Sequence, residues 1–337
     1  MTLSVFNTKK TISVEFCSDE VRVVEGKYNK KNIVVNKCFT IPVPEGVYGD
    51  GVIKDMDDFL HLLQNEFSLR NISHCDVYGV INSSNIIIRE IRLPKVDVEQ
   101  IVSILNYQLD EYFPVNSENY VVQFIPLDVV NEEGVEKLNV MLIGVPKYII
   151  ESHLNLLRNL GLKPVVLDYA GNAISKLIGF SDSINGIYDN DITIACVDLE
   201  QESTALNITD KGMMSMSRVV NVEINPSVNE GYSESSDYSD DQDAAVAIAL
   251  KSDLTAILNG IDMVFRYYSS RQAHKDIELV LIYGNYSNIS GIEDLMSSYL
   301  DKPCVRLNVL DKVKFYGDIA KYANAIGALI RRNGVRL

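Results

Sequence analysis

No apolar run in this 337-residue chain approaches the roughly 20 residues that a membrane-spanning helix needs. The opening MTLSVFNTKK also lacks the long apolar segment of a secretory signal peptide, so the chain reads as cytosolic and soluble. Positive charge is in deficit: the net charge of −15 disfavours nonspecific binding to nucleic acid or to anionic lipid headgroups. Membrane association is therefore expected to run through a protein partner, without direct insertion. The five cysteines (Cys17, Cys38, Cys75, Cys196, Cys304) are scattered, with no pair at metal-ligand spacing, and read as reduced, buried thiols. The four histidines (His61, His74, His153, His274) show no metal-ligand spacing either. There is no Gly-x4-Gly-Lys phosphate loop, no Gly-x-Ser-x-Gly elbow and no visible Cys/His nucleophile arrangement.

What is present suffices for a large folded core. At 47% hydrophobic and 23% charged, a chain of this length predicts two lobes or domains. Short alternating strands are expected at 11–16, 20–26 and 32–41, a helix over 55–69, and strands at 75–81 and 85–93. A second meander at 192–198, 203–210 and 212–220 repeats the opening. It is followed by a long helix from about Ala244 to Gln272, a strand at 277–284, a helix near 290–300 and a last helix at 316–332. The two meanders, each leading into helix and strand, suggest a duplicated α/β architecture. Between the halves lies an inserted unit over about 93–168. Asp97 is placed to cap a helix with apolar residues at Val98, Ile101, Val102, Leu105, Leu109 and Tyr112. Strands at 119–129 and 137–145 follow, then a helix from Pro146 to Leu160 closed by Gly161. The tract 221–243 carries seven acids and no Lys or Arg, and reads as a mobile acidic loop whose spacing fits no EF-hand.

The stretch Arg89–Phe124 carries the most specific wording. Arg89, Leu93 and Pro94 close a strand, a capped helix follows, and Tyr112, Phe113 and Pro114 end it. In these residues the chain resembles the PilM family, the actin-like cytoplasmic proteins of type IV pilus assembly, related to the cell-division protein FtsA. The resemblance implies an actin-like, duplicated ribonuclease-H-like fold of two lobes with a small inserted α+β subdomain. It divides the chain into an N-terminal subdomain at 1–92, an SHS2-like insertion at 93–168 and a C-terminal lobe at 169–337.

The same resemblance locates a nucleotide site, and there the chain departs from the family. Where the first phosphate hairpin usually reads Asp-Ile-Gly-Ser, this sequence has Glu15, Phe16, Cys17 and Ser18. Where the second reads Asp-Ile-Gly, it has Asp198, Leu199 and Glu200. The glycines matter because backbone N–H groups must approach phosphate oxygens. A carboxylate within a few ångströms of a polyphosphate costs on the order of 1–4 kcal/mol, and no nearby lysine compensates. Arg22 and Arg218 stand where the family often has Lys and Arg. On the adenosine side Gly284 and Gly291 match, Asn285 replaces a second glycine, and Ala325, Ile326 and Gly327 keep the Ala-Ile-Gly arrangement. ATP and Mg²⁺ are thus disfavoured, with Asp198 and Glu15 the candidate ligands if the ion binds at all.

Two functions follow. The resemblance implies a non-catalytic scaffold whose insertion binds the N-terminal cytoplasmic peptide of a PilN-like membrane protein and links it to the pilus motor ATPase. Arg89, Arg92, Leu93, Leu105, Leu109 and Tyr112 are the expected contacts, although Arg89 and Arg92 have local acids such as Glu90 and Asp110 as alternative partners. Such a protein would lie at the inner face of the cytoplasmic membrane. The alternative is an ATP-binding actin-fold ATPase, or a sugar-kinase relative, whose nucleotide state controls partner binding. A polymerising FtsA-like protein is disfavoured because RRNGVRL is no amphipathic tail. Tyr107, Tyr112, Tyr120, Tyr267 and Tyr268 are available as interface anchors or as ordinary packing.

Overall fold

In a computed structural model, residues 11–113, 116–132, 134–224, 240–271 and 275–331 are described, with side chains of the long helix from residue 252 onward. Pro114, His274, the residues after 331 and most of the acidic tract lie outside them.

Each half builds the same sheet. In the first, the antiparallel meander Thr11–Phe16, Glu20–Tyr28 and Ile33–Pro42 extends through parallel strands Asp76–Ile81 and Lys163–Tyr169. In the second, Thr193–Leu199, Thr204–Asp210 and Met213–Val220 extend through Leu279–Tyr283 and Cys304–Arg306 in the same order and sense. The duplication expected from the meanders is therefore real. A short strand, Val313–Lys314, crosses back from the second half to pair with Ile33 and Val34. Central strands buried on both faces carry continuous apolar runs, as in TIACVDL.

Two helices join the lobes, Ala170–Phe180 and Ile319–Ala328. They share a core in which Val24 and Ile33 of the first sheet meet Ile194, Cys196, Leu279 and Leu281 of the second. The long helix Asp240–Arg271 buries Leu254, Ile257, Leu258, Ile261, Phe265 and Tyr268 against the second sheet, a spacing of three and four residues.

Three expected segments change their bounds. The strand Ile87–Pro94 pairs along its length with Val135–Pro146, from Ile87↔Gly144 to Pro94↔Lys137, so it belongs to the insertion and not to the main subdomain. At the other end, helix Lys147–Asn159 buries Ile149, Leu156 and Leu157 beside Phe16 and Phe59, and strand Lys163–Tyr169 completes the first sheet. The insertion is thus 87–146, in place of 93–168. The last helix, Ile319–Ala328, is shorter than the expected 316–332; at its N-cap the Asp318 carboxylate is held by Arg306 at 2.7 and 2.6 Å and makes no side-chain cap. The acidic tract is narrower than 221–243. Val222 and Ile224 pack in the second core, with the Ile224 N–H donating to Gln201 O, and Asp240 already begins the long helix.

Candidate functional site

The two hairpins that would cradle phosphates face each other across the interlobe cleft. Their turns are built alike: the Cys17 N–H donates to Glu20 O at 3.0 Å and the Glu200 N–H to Ser203 O at 3.3 Å. Neither Cys17 nor Glu200 adopts a positive φ, so these turns close without the backbone freedom of the missing glycines. Gly284 keeps φ +95, and a Cβ there would lie 2.5 Å from Asp198 Oδ1 and 2.6 Å from Leu199 O.

The charge of Glu200 is not left bare. Arg22, 1% exposed, sends both Nη atoms to its carboxylate at 2.8 and 2.7 Å, and its Nε to Glu20 at 2.7 Å. Among the described residues no lysine offsets Glu200, as expected, but an arginine 178 residues away does. On the sheet Arg22 stands opposite Glu15, whereas the equivalent partner of Asp198 is Ala205, so the device is one-sided. Asn324, on the last helix, donates from Nδ2 to both Glu15 and Asp198 at 2.8 Å. Asn285 Nδ2 donates to Asp19 at 2.8 Å, and the Asp50 N–H to Glu202 at 2.7 Å. Sequence reasoning placed Arg22 at a family position without its partner Glu200, and missed Asn324, because the Arg22–Glu200 and Asn324–Glu15 pairs each span the two halves of the chain.

Burial dominates the electrostatics. It pushes Glu15 up to about 7 against the pull of Arg22, and Asp19 up to about 6. Asp198 is pushed well above the usual carboxylate range by burial and by neighbouring Glu200 and Glu15, and burial also raises the Cys17 thiol. The free space is about 50 Å³, lined by the carboxylates of Glu15, Asp50, Asp198, Glu200 and Glu202. Ligand pockets run to roughly 300 Å³ and more. Ser18 lines the same space, and among the described residues that line it there is no lysine or arginine.

The insertion carries a second concavity, of about 540 Å³. One wall is the edge strand Ile87–Pro94, through Arg92, Leu93 and Pro94; the other is helix Val98–Tyr112, through Ile104, Tyr107 and Tyr112. Asp97 caps that helix as expected, accepting from the Gln100 N–H at 3.1 Å. Of the six expected contacts, Arg92, Leu93 and Tyr112 line the groove. Leu105 is wholly buried with Ile101 and Leu142, and Leu109, half-buried, packs on the same core; neither lines the groove. Arg89 is exposed on the strand but does not line the groove. Arg92 pairs with Glu132, a partner that lies neither at Glu90 nor at Asp110. Tyr107, 91% exposed, is the groove's most prominent aromatic.

The duplicated sheets, the interlobe helices and the cleft between two hairpins define the actin-like ATPase fold. A family model described as type IV pilus assembly protein PilM matches residues 13–325. The chain belongs to the PilM family of type IV pilus assembly proteins. Its fold is similar to that of a solved PilM–PilN type IV pilus biogenesis complex, with TM-score 0.77, 18% identity, and 95% of this chain and 97% of that one covered. It is also similar to the ethanolamine utilization protein EutJ from Carboxydothermus hydrogenoformans, at TM-score 0.52 and 10% identity over 95% of this chain and 89% of that one. A protein of actin-like ATPase fold and unknown function from Bacteroides thetaiotaomicron gives TM-score 0.50 and 9% identity over 98% of both chains. No curated protein matches the chain.

Proposed function

We propose that this chain is a non-catalytic scaffold of type IV pilus assembly that holds the cytoplasmic N-terminal peptide of a PilN-like membrane protein in its insertion and couples it to the pilus motor ATPase. The observation that carries this reading is the contrast between two concavities: the interlobe cleft retains about 50 Å³ while the insertion groove opens to about 540 Å³. An edge strand beside a tyrosine-bearing helix suits an extended peptide, which can meet backbone groups on one side and aromatic anchors on the other. Co-occurrence of PilM and PilN in the solved complex of similar fold supports the choice of partner. Among the described residues no helix is long and apolar enough to cross a membrane, so attachment would run through that partner.

A fluorescence-anisotropy titration with a labelled peptide of the partner's cytoplasmic tail tests this. Saturable binding is expected. Tyr107→Ala and Arg92→Glu should each weaken it about tenfold, the effect of one interface anchor, while leaving the thermal midpoint in place because both side chains are exposed. Absence of saturable binding by the wild-type chain sinks the proposal.

A further inference from the structure

We infer that Arg22 is the cleft's resident ligand: its fork on Glu200 holds the two lobes at a closed angle without any nucleotide. The inference concerns the lobe angle and does not depend on what the insertion groove binds.

Arg22 leaves the second strand of the first lobe, and Glu200 sits in the first turn of the second lobe, at the place where a phosphate-binding hairpin needs glycine. The two guanidinium nitrogens meet the two carboxylate oxygens at 2.8 and 2.7 Å, a bidentate geometry that fixes orientation as well as distance. Two side-chain ties cross the same gap: Asn285 of the second lobe to Asp19 of the first, and Asn324 between Glu15 of the first lobe and Asp198 of the second. The backbone N–H of Asp50 to Glu202 closes the rim. Every one of these contacts spends a polar group on the opposite lobe where an open cleft would leave it to solvent or ligand.

The replacement of glycine by Glu200 thus acts twice. It removes the backbone approach that a phosphate needs and supplies the carboxylate that Arg22 grips. Removing Arg22 leaves the Glu200 carboxylate without its cation, and removing Glu200 leaves Arg22 held only by Glu20 and Glu15 of its own lobe, so either change cuts the tie across the gap. Lys321 also meets Glu20, at 2.9 Å, so Glu20 is shared between Lys321 and the Arg22 Nε while both Nη atoms of Arg22 go to Glu200.

Small-angle X-ray scattering and amide hydrogen exchange on the full chain test the inference, using Arg22→Gln, Glu200→Gly, Glu200→Gln and the Arg22→Gln/Glu200→Gly double variant. Each single variant should enlarge the radius of gyration and speed exchange at residues 16–18 and 199–203. The double variant should open no further than Arg22→Gln alone, because that change already removes the fork that Glu200→Gly removes. If Arg22→Gln fails to fold, Glu200→Gln, which keeps the side chain's volume, carries the same expectation. Wild-type scattering and exchange in the Glu200 variants overturns the inference, as does a double variant whose effect is the sum of the singles. A wild-type chain that ignores the partner peptide yet opens on Glu200→Gly refutes the scaffold role alone.

Discussion

Glu15 and His153 lie in the same lobe and tilt its stability in opposite directions with pH. Burial raises Glu15 from 4.5 to about 7, so the folded chain binds this proton more tightly than the unfolded one. Its contribution is greatest below pH 4.5 and declines as pH rises to 7, by about 3 kcal/mol over the window. His153 is the reverse case. Burial lowers it from 6.5 to about 4, with Nδ1–H donating to Ile149 O and Nε2 accepting from the Tyr48 hydroxyl. Its contribution is complete above pH 6.5 and is lost as pH falls toward 4, by a similar amount. Glu15→Gln keeps an acceptor for Asn324 and removes the titration. Urea denaturation of this variant across pH 4–8 should give a curve more stable than wild type at pH 8, declining more steeply toward acid. An unchanged slope would refute the assignment of Glu15.

At the scale of elements, the crossing of helices Ala170–Phe180 and Ile319–Ala328 depends on one missing side chain. A Cβ on Gly327 would run into the Ala173 carbonyl, which is backbone and cannot swing aside. Gly327→Ala should therefore cost about 1–3 kcal/mol by overpacking, read as a lower urea midpoint at constant slope. In the insertion, Leu105→Ala should cost about 2–5 kcal/mol because Leu105 is wholly buried, while Tyr107→Ala two residues away costs nothing measurable. Equal stability losses at the two positions would contradict the assignment of Leu105 to the core. That contrast also marks what the sequence could convey. Apolar periodicity identified the helix and its inner stripe, since period and burial are local. It could not separate a contact residue from a core residue, because the groove uses the flank of the stripe, Ile104 and Tyr107, and Leu105 fills its centre. The duplicated meander was legible for the same local reason. The start of the insertion was not: an edge strand looks alike whichever sheet it joins, and only pairing with Val135–Pro146 decides.

At the scale of the whole molecule, Cys17, Glu200 and Arg22 belong to one arrangement. Cys17 and Glu200 are each legible in the sequence as departures. Arg22 is 178 residues from Glu200, and nothing short of the folded cleft shows that it neutralises Glu200. The alternative ATPase role draws on Gly284, which keeps its positive φ at the adenosine side. In this fold, however, Asp198 and Leu199 crowd the absent Cβ of Gly284, so packing and the positive φ already require glycine there. A nucleotide entering the cleft would have to displace Arg22 from Glu200, separate Asn285 from Asp19, and place its phosphates among five carboxylates of a chain already at net charge −15. A ligand at a hundred times its dissociation constant stabilises by about 2.7 kcal/mol, enough for a shift of several degrees. Thermal-shift titration to millimolar Mg²⁺–ATP or Mg²⁺–ADP should leave the wild-type midpoint unmoved. A saturable rise of several degrees would show that the closed cleft yields to nucleotide, and would return the ATPase role to first place.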